Sequence, residues 1–321
     1  MILVTGGLGF IGSHVTRALL DLGEPCVAVQ RRAGPVADFL AGEVGRGLTI
    51  EPADVTDRAS FRAAGGRHPI TGIVHLAGGG FGMADPFEGV RTEAGILCNV
   101  LEAARDWQVP RVCLASTIGV YAGAGTGLLR EDLPLPMTAG HAIPAFKKSN
   151  ELLGGYLAGA AGIELVNLRI AAIWGPLGRP VSSFFAAPQL VHAAVTGKAP
   201  AAATPYGRAR PAYAGDGGDL CYARDCGRAI ALLQLAPALN HRTYNVASGQ
   251  VTTNREVAGA IRAVLPDARP ELLPGRDPAA PDGDIRLDVT RLRDDTGYRP
   301  GYSTGQAVAD YIGWLRAGHE R

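Results

Sequence analysis

No apolar stretch of the chain approaches the roughly 20 residues that a membrane-spanning helix requires, so no membrane span of that kind is expected. Excess charge of one sign is also missing. A formal net charge of +1 over 321 residues gives no broad positive field to attract nucleic acid or anionic lipid, so a charged ligand must be met locally. The five cysteines, Cys26, Cys98, Cys113, Cys221 and Cys226, form no CxxC pair and no metal-type cluster. We expect them to be reduced packing residues, with no metal site. Met1 leads directly into an apolar run and a glycine-rich turn, with no preceding export signal, which predicts a cytoplasmic address. Lysine is scarce where Gly, Ala and Arg are abundant, a coding bias. No repeat of fixed period and no low-complexity tail is present.

What is present reads as an α/β protein, a Rossmann-type doubly wound parallel sheet with a smaller C-terminal lobe. A hydrophobic fraction of 47% with 19% charged residues is that of a globular chain, and its length suits a large core with a second lobe. Short apolar runs at Ile2 to Val4, Cys26 to Val29, Leu48 to Ile50, Gly72 to Leu76, Val112 to Ala115 and Leu165 to Ile170 predict strands. Segments with helical spacing, such as Ser13 to Leu22, Pro86 to Trp107 and Ala145 to Ala160, separate several of them. That alternation predicts a parallel sheet covered on both faces. Gly154, Gly155 and Gly159 each cost the last helix about 1 kcal/mol of propensity, which points to close packing, as at a dimer contact. We expect residues 1–175 to form the first lobe, with residues 219–247 returning to it, including strands at Leu220 to Tyr222 and Thr243 to Val246. Residues 176–218 and 248–321 then form the smaller substrate-binding lobe, with one helix around Phe184 to Val195.

Thr5 to Gly12 reads TGGLGFIG between a strand and a helix. Glycines there let the backbone turn tightly against a pyrophosphate, and the helix start offers unpaired N–H groups and about half a positive charge. The run resembles the TGxxGxxG of extended short-chain dehydrogenase/reductases, the NAD-dependent epimerase/dehydratase type, and the resemblance continues along the chain. Ala53 to Asp57, His75-Leu76-Ala77-Gly78, Asn99 to Ala104, Thr117 to Tyr121, Leu168-Arg169 through Trp174-Gly175-Pro176, Tyr222 to Asp225, Tyr244-Asn245-Val246 and Leu287-Asp288 with Thr296 to Pro300 are similar to family motifs in order. The resemblance implies coenzyme contacts from Gly6, Gly9, Phe10, Ile11, Gly12, Asp54, Val55, Leu76, Ala77, Gly78, Asn99, Lys147 and Ile170. At the end of the second strand Gln30 stands where NAD users of the family carry Asp, followed by Arg31 and Arg32. An arginine fork suits a 2′-phosphate, so NADP is expected ahead of NAD.

Family catalysis joins a Ser/Thr, a Tyr and a Lys, because a phenol of pKa roughly 10 must be pulled down by an ammonium before it can act near neutrality. Thr117 matches the hydroxyl donor, with Ser116 beside it. Lys147, supported by Glu151 four residues on, matches the lysine, but Ile143 then stands where Tyr belongs; choosing Lys148 puts Pro144 there. His141 is the nearest titratable replacement, ahead of Tyr121 and His75.

Two further family anchors for a sugar nucleotide are replaced by Ala172 and Gly218. Arg276 resembles a third, and Arg208 and Arg210 are additional cations. A smaller or more apolar substrate would instead meet Ile143, Ala171, Ala172, Trp174, Phe184 and Phe185. We therefore expect an NAD(P)-dependent oxidoreductase, epimerase or dehydratase acting on a carbonyl, hydroxyl or sugar-like carbon, as a homodimer. A catalytically silent coenzyme-binding scaffold and a redox-neutral lyase using the same pocket remain as alternatives.

Overall fold

Apolar residues at consecutive positions make the central strands, since a strand covered on both faces has no solvent side to keep polar. In the computed structural model, which describes residues 1–32, 34–78, 82–201, 203–204, 207–279 and 283–320, seven such strands are parallel neighbours. They are β1 (Ile2–Thr5), β2 (Cys26–Gln30), β3 (Leu48–Pro52), β4 (Gly72–His75), β5 (Arg111–Thr117), β6 (Glu164–Ile170) and β7 (Thr243–Val246), in the order 7-6-5-4-1-2-3. Strand order reverses between β1 and β4, and Ile2 to Thr5 of β1 pair with β2 on one side and β4 on the other. That reversal opens a crevice at the carboxyl ends of the strands, the position where open α/β sheets bind ligands.

Two apolar clusters cover the two faces of the sheet, one around Val4, Val15, Leu168 and Ile230, the other around Leu3, Phe61, Leu97 and Leu114. Local chemistry sets many helix ends. Asp57 and Asp85 accept hydrogen bonds from the first turns of Arg58–Gly65 and Pro86–Asp106, Thr253 and Ser303 form reciprocal capping boxes, and left-handed Gly162, Gly197 and Gly297 end three others.

A third cluster, around Trp174, Val191, Ile261 and Tyr311, joins the helices Ala187–Thr196, Asn254–Val264 and Thr304–Arg316 to a three-stranded sheet. Here the structure corrects the expected connection. Gly217–Tyr222 does not enter the large sheet; it pairs with Ala172–Trp174 and Val251–Thr253. The chain rejoins the large sheet through Thr243–Val246 alone. The helix expected from Phe184 starts at Ala187 instead, because Pro188 is tolerated in a first turn but would break an interior one. Among the described residues no helix is long and apolar enough to cross a membrane, no group of His, Cys, Asp and Glu could hold a metal ion, and the cysteines are free, with Cys98 alone exposed.

Candidate active site

Steric limits shape the glycine-rich turn. Gly6 adopts φ +67° and stands 3.5 Å from the Ala77 backbone, measured from where its Cβ would be. Gly7 would place a Cβ 2.8 Å from that of Ala28, and a Cβ on Gly12 would fall on the Gly6 carbonyl. Gly9 N donates to Gly6 O at 2.8 Å, and the following helix, Phe10–Asp21, begins at Gly9 with no side-chain cap. The first amides of that helix therefore face the crevice without a side-chain acceptor, as an anion site requires.

The strand ends beside this turn are tied to it. Thr5 Oγ1 accepts from Leu76 N and Ala77 N, so its own proton goes to His75 Nδ1 at 2.7 Å. Burial first, and then the charge of Lys147, push His75 down to about 3; it is a neutral structural base. Asp54 is held by Thr56, accepting from both N and Oγ1, and Asn99 Nδ2 donates to the carbonyls of Val55 and Thr56 at 2.9 and 3.2 Å. Arg31 lies 3.9 Å from Asp54, whereas Gln30 and Arg32 line the crevice.

The crevice widens to a cavity of about 930 Å³ lined by Gly6, Gly9 to Gly12, Leu76, Ser116, Thr117, Lys147 and Ile170 on the large-sheet side. Among the described residues its charged lining side chains are Arg32, Lys147 and Arg179, and no carboxylate lines it. Thr117 Oγ1 accepts from Gly119 N at 3.1 Å, which leaves its own proton to be donated into the cavity. Ser116 donates instead to Glu151, which is paired with Arg169 at 2.8 Å. Arg169 in turn donates to the Tyr121 hydroxyl at 3.0 Å, and that hydroxyl donates to Asn245 at 2.8 Å. Burial, only partly offset by Arg169, pushes Tyr121 up. Its hydroxyl is committed to the core.

Lys147 is 8% exposed and lines the cavity, while Lys148 turns away to the carbonyls of Pro136 and Thr138. Ile143 is half-buried and does not line the cavity. His141 is exposed and also outside the lining, its ring stacked 6.2 Å from that of Phe184.

On the opposite wall the expected residues divide. Ala171, Trp174, Phe184 and Phe185 line the cavity, whereas Ala172 does not, being paired in register with Leu220 in the small sheet. Arg276 is also outside the lining and pairs with Asp284 at 2.6 Å; Arg210 pairs with Asp216 and Asp277, and Arg208 is exposed on a short antiparallel pair. Sequence reasoning missed Leu177, Gly178 and Arg179. Leu177 holds φ +68°, an uncommon conformation for a non-glycine residue, and a Cβ on Gly178 would sit 3.0 Å from the Phe10 ring. Gly175-Pro176 was the available signal, because a turn there must bring the chain back over the helix.

His14 pins this turn, its Nε2–H donating to Pro176 O at 2.9 Å. Burial pushes His14 down to about 4. With an unfolded value near 6.5, the unfolded chain binds the proton first as pH falls. The neutral ring's stability is therefore complete above about 6.5 and is lost on descent toward about 4, on the order of 3 kcal/mol. Chemical denaturation at several pH values should show that decline, with a shallower slope in His14→Gln; equal slopes would exclude His14 as its source.

The model of the NAD dependent epimerase/dehydratase family matches residues 2–247. The chain belongs to that family. Relatives include the UDP-glucose 4-epimerase of Bacillus subtilis, 33% identical over 43% of this chain and 42% of its own length, and that of Azospirillum brasilense, 27% identical over 98% and 92%. Two of the curated relatives are matched over only 60% and 42% of their lengths. The Thermus thermophilus UDP-glucose 4-epimerase, solved with NAD, superposes with a TM-score of 0.78 at 24% identity, covering 99% of each chain. This epimerase/dehydratase family member has a Rossmann-type fold. Its glycine turn, uncapped helix start and a cleft lined by Arg32, Lys147 and Arg179 fit a dinucleotide.

Proposed function

We propose that the protein interconverts nucleotide sugars by reversible oxidation at a sugar carbinol, using a tightly held nicotinamide dinucleotide. The observation that carries this reading is one continuous cavity that runs from the glycine turn past Thr117 and Lys147 to Trp174 and Phe185. It has room for a coenzyme at one end and a second molecule at the other. The coenzyme's diphosphate would rest on the amides of Phe10 to Gly12, its adenosine near Asp54 and Val55, and its nicotinamide ribose on Lys147; when bound, it supplies hydride acceptance and return. Thr117 would donate a hydrogen bond to the reacting oxygen, lowering the cost of charge developing there. Trp174 and Phe185 would exclude water from it.

Gln30 and Arg32 line the cleft where β2 ends, which supports NADP(H) ahead of NAD(H). Relatives named for UDP-glucose and UDP-glucuronate epimerases support a nucleotide-sugar substrate. Phe87, Val90, Leu152 and Tyr156 are exposed apolar side chains on the helices Pro86–Asp106 and Ala142–Ala161, and that surface supports a homodimer. Free, mostly buried cysteines suit a cytoplasmic setting.

Calorimetric dissociation constants for NADP(H) and NAD(H), followed by NMR of UDP-glucose, UDP-glucuronate and dTDP-glucose incubated with the loaded enzyme, test the reading. A product sugar formed without net consumption of coenzyme is expected, with NADP(H) the tighter ligand. Absence of binding by either coenzyme would refute the proposal, and tighter NAD(H) would reverse the coenzyme preference.

A further inference from the structure

We propose that Lys147 is itself the group that takes and returns the proton of the substrate hydroxyl, in the place that Ile143 leaves without an acid or base. This deepens the dinucleotide-dependent reading above and rests on it. The described side chains that line the cavity include three with ionisable groups, Arg32, Arg179 and Lys147. An arginine does not give up its proton in a protein, so Lys147 is the lining group able to cycle between two states. The other candidates are placed elsewhere. Tyr121 is tied between Arg169 and Asn245, His75 accepts from Thr5, and His141 is exposed outside the lining.

The position of Lys147 suits proton exchange. It lies on the inner face of Ala142–Ala161 with Phe146 and Asn150, one turn before Thr117's neighbour network at Glu151 and Arg169. Across the packed helix Pro86–Asp106 is Glu93, 3% exposed, whose charge favours the ammonium; from β4 comes His75, held neutral. Burial of Lys147 outweighs Glu93 and lowers the lysine from its ordinary value. The amine is therefore easier to reach than in water, and Glu93 keeps the ammonium from being lost altogether.

The step balances as follows. The carbinol O–H bond breaks and its proton passes to the neutral Nζ, making the ammonium. The C–H bond on the same carbon breaks with its electron pair, which the dinucleotide accepts, and a C=O bond forms. The alcohol is oxidised by two electrons and the dinucleotide reduced by two. Reversal, with hydride returned to either face of the carbonyl, takes the proton back from Nζ. Thr117 holds the same oxygen throughout by donating its hydrogen bond.

Competitive acylation with acetic anhydride across pH, read by peptide mass spectrometry on the purified protein, tests the titration directly. Exposed Lys198 is the internal standard. The Lys147 midpoint is expected below that of Lys198, and to fall further in Glu93→Gln; a Lys147 midpoint equal to or above that of Lys198 overturns the proposal. In parallel, Lys147→Arg keeps a cation that cannot release its proton. It is expected to lose ~10²- to 10⁴-fold in conversion of whichever sugar nucleotide the wild type turns over. Wild-type-like turnover by Lys147→Arg would also overturn it. Failure of the unmodified protein to bind coenzyme would instead remove the functional reading, and the acylation midpoint separates the two.

Discussion

Gly12→Ala is expected to weaken coenzyme binding by at least ~100-fold, equivalent to about 3 kcal/mol. The added methyl falls on the Gly6 carbonyl oxygen and also crowds the Gly7 Cα. Both neighbours are backbone, so relief requires the turn to open. Gly6 cannot follow easily, because it is already at φ +67° and lies against Ala77. Opening moves the first amides of Phe10–Asp21 away from the positions at which they converge on a phosphate, and hydrogen bonds to charged groups lose strength steeply with misalignment. Calorimetric titration with the reduced coenzyme measures the loss. Gly155→Ala is the control: it is helical, its Cβ would meet nothing within 4 Å, and it should leave affinity unchanged while adding up to about 1 kcal/mol of stability. Wild-type affinity in Gly12→Ala would mean that the phosphates do not rest on this turn.

Arg169→Met is expected to destabilise the fold by ~3–5 kcal/mol, because it leaves the Glu151 carboxylate buried without its counter-ion. The pair is enclosed, with side-chain exposures of 7% and 10%, and Arg169 holds Glu151 through both Nε and Nη2. The same substitution removes donors from the Tyr121 hydroxyl and the Glu131 carbonyl. Ser116 then loses the fixed acceptor that aims it, so the end of β5 that carries Thr117 should loosen as well. Urea unfolding of the single variant and of Arg169→Met/Glu151→Leu distinguishes the causes. The double variant should recover much of the loss, since it buries no lone charge. A single variant within ~1 kcal/mol of wild type would show that the network contributes little to the fold.

Much of the coenzyme half of the molecule was legible because its constraints are local. TGGLGFIG carries its meaning in the absence of Cβ atoms at Gly6, Gly7 and Gly12, and the contacts that forbid a Cβ at Gly12 lie within six residues along the chain. The strands from β1 to β6 were visible as largely apolar runs for a similar reason: burial on both faces favours apolar residues at most positions, and that preference can be read without knowing the neighbours. The matched family model spans these segments.

Other features depended on which distant segments meet. Gly217–Tyr222 has the apolar ending of a large-sheet strand, and only its pairing partners, Ala172–Trp174 and Val251–Thr253, assign it to the smaller sheet. Arg276 looks from its sequence position like a phosphate ligand, yet Asp284 engages it. The choice between Lys147 and Lys148 is one residue in sequence and about 100° around a helix, enough to send one side chain into the cavity and the other to loop carbonyls. The wall at Leu177 to Arg179 arises from a turn that His14 and Phe10 hold in place from more than 160 residues away.

By itself, the amino-acid sequence determined the sheet, the glycine-rich turn and the absence of tyrosine four residues before Lys147, where Ile143 stands, since each is a matter of residue size, backbone freedom or side-chain chemistry at adjacent positions. Tertiary structure alone decided which cations reach the cavity and which are engaged by acids from other segments. Charge pairing and burial are properties of surfaces brought together across the whole chain, and no local pattern encodes them.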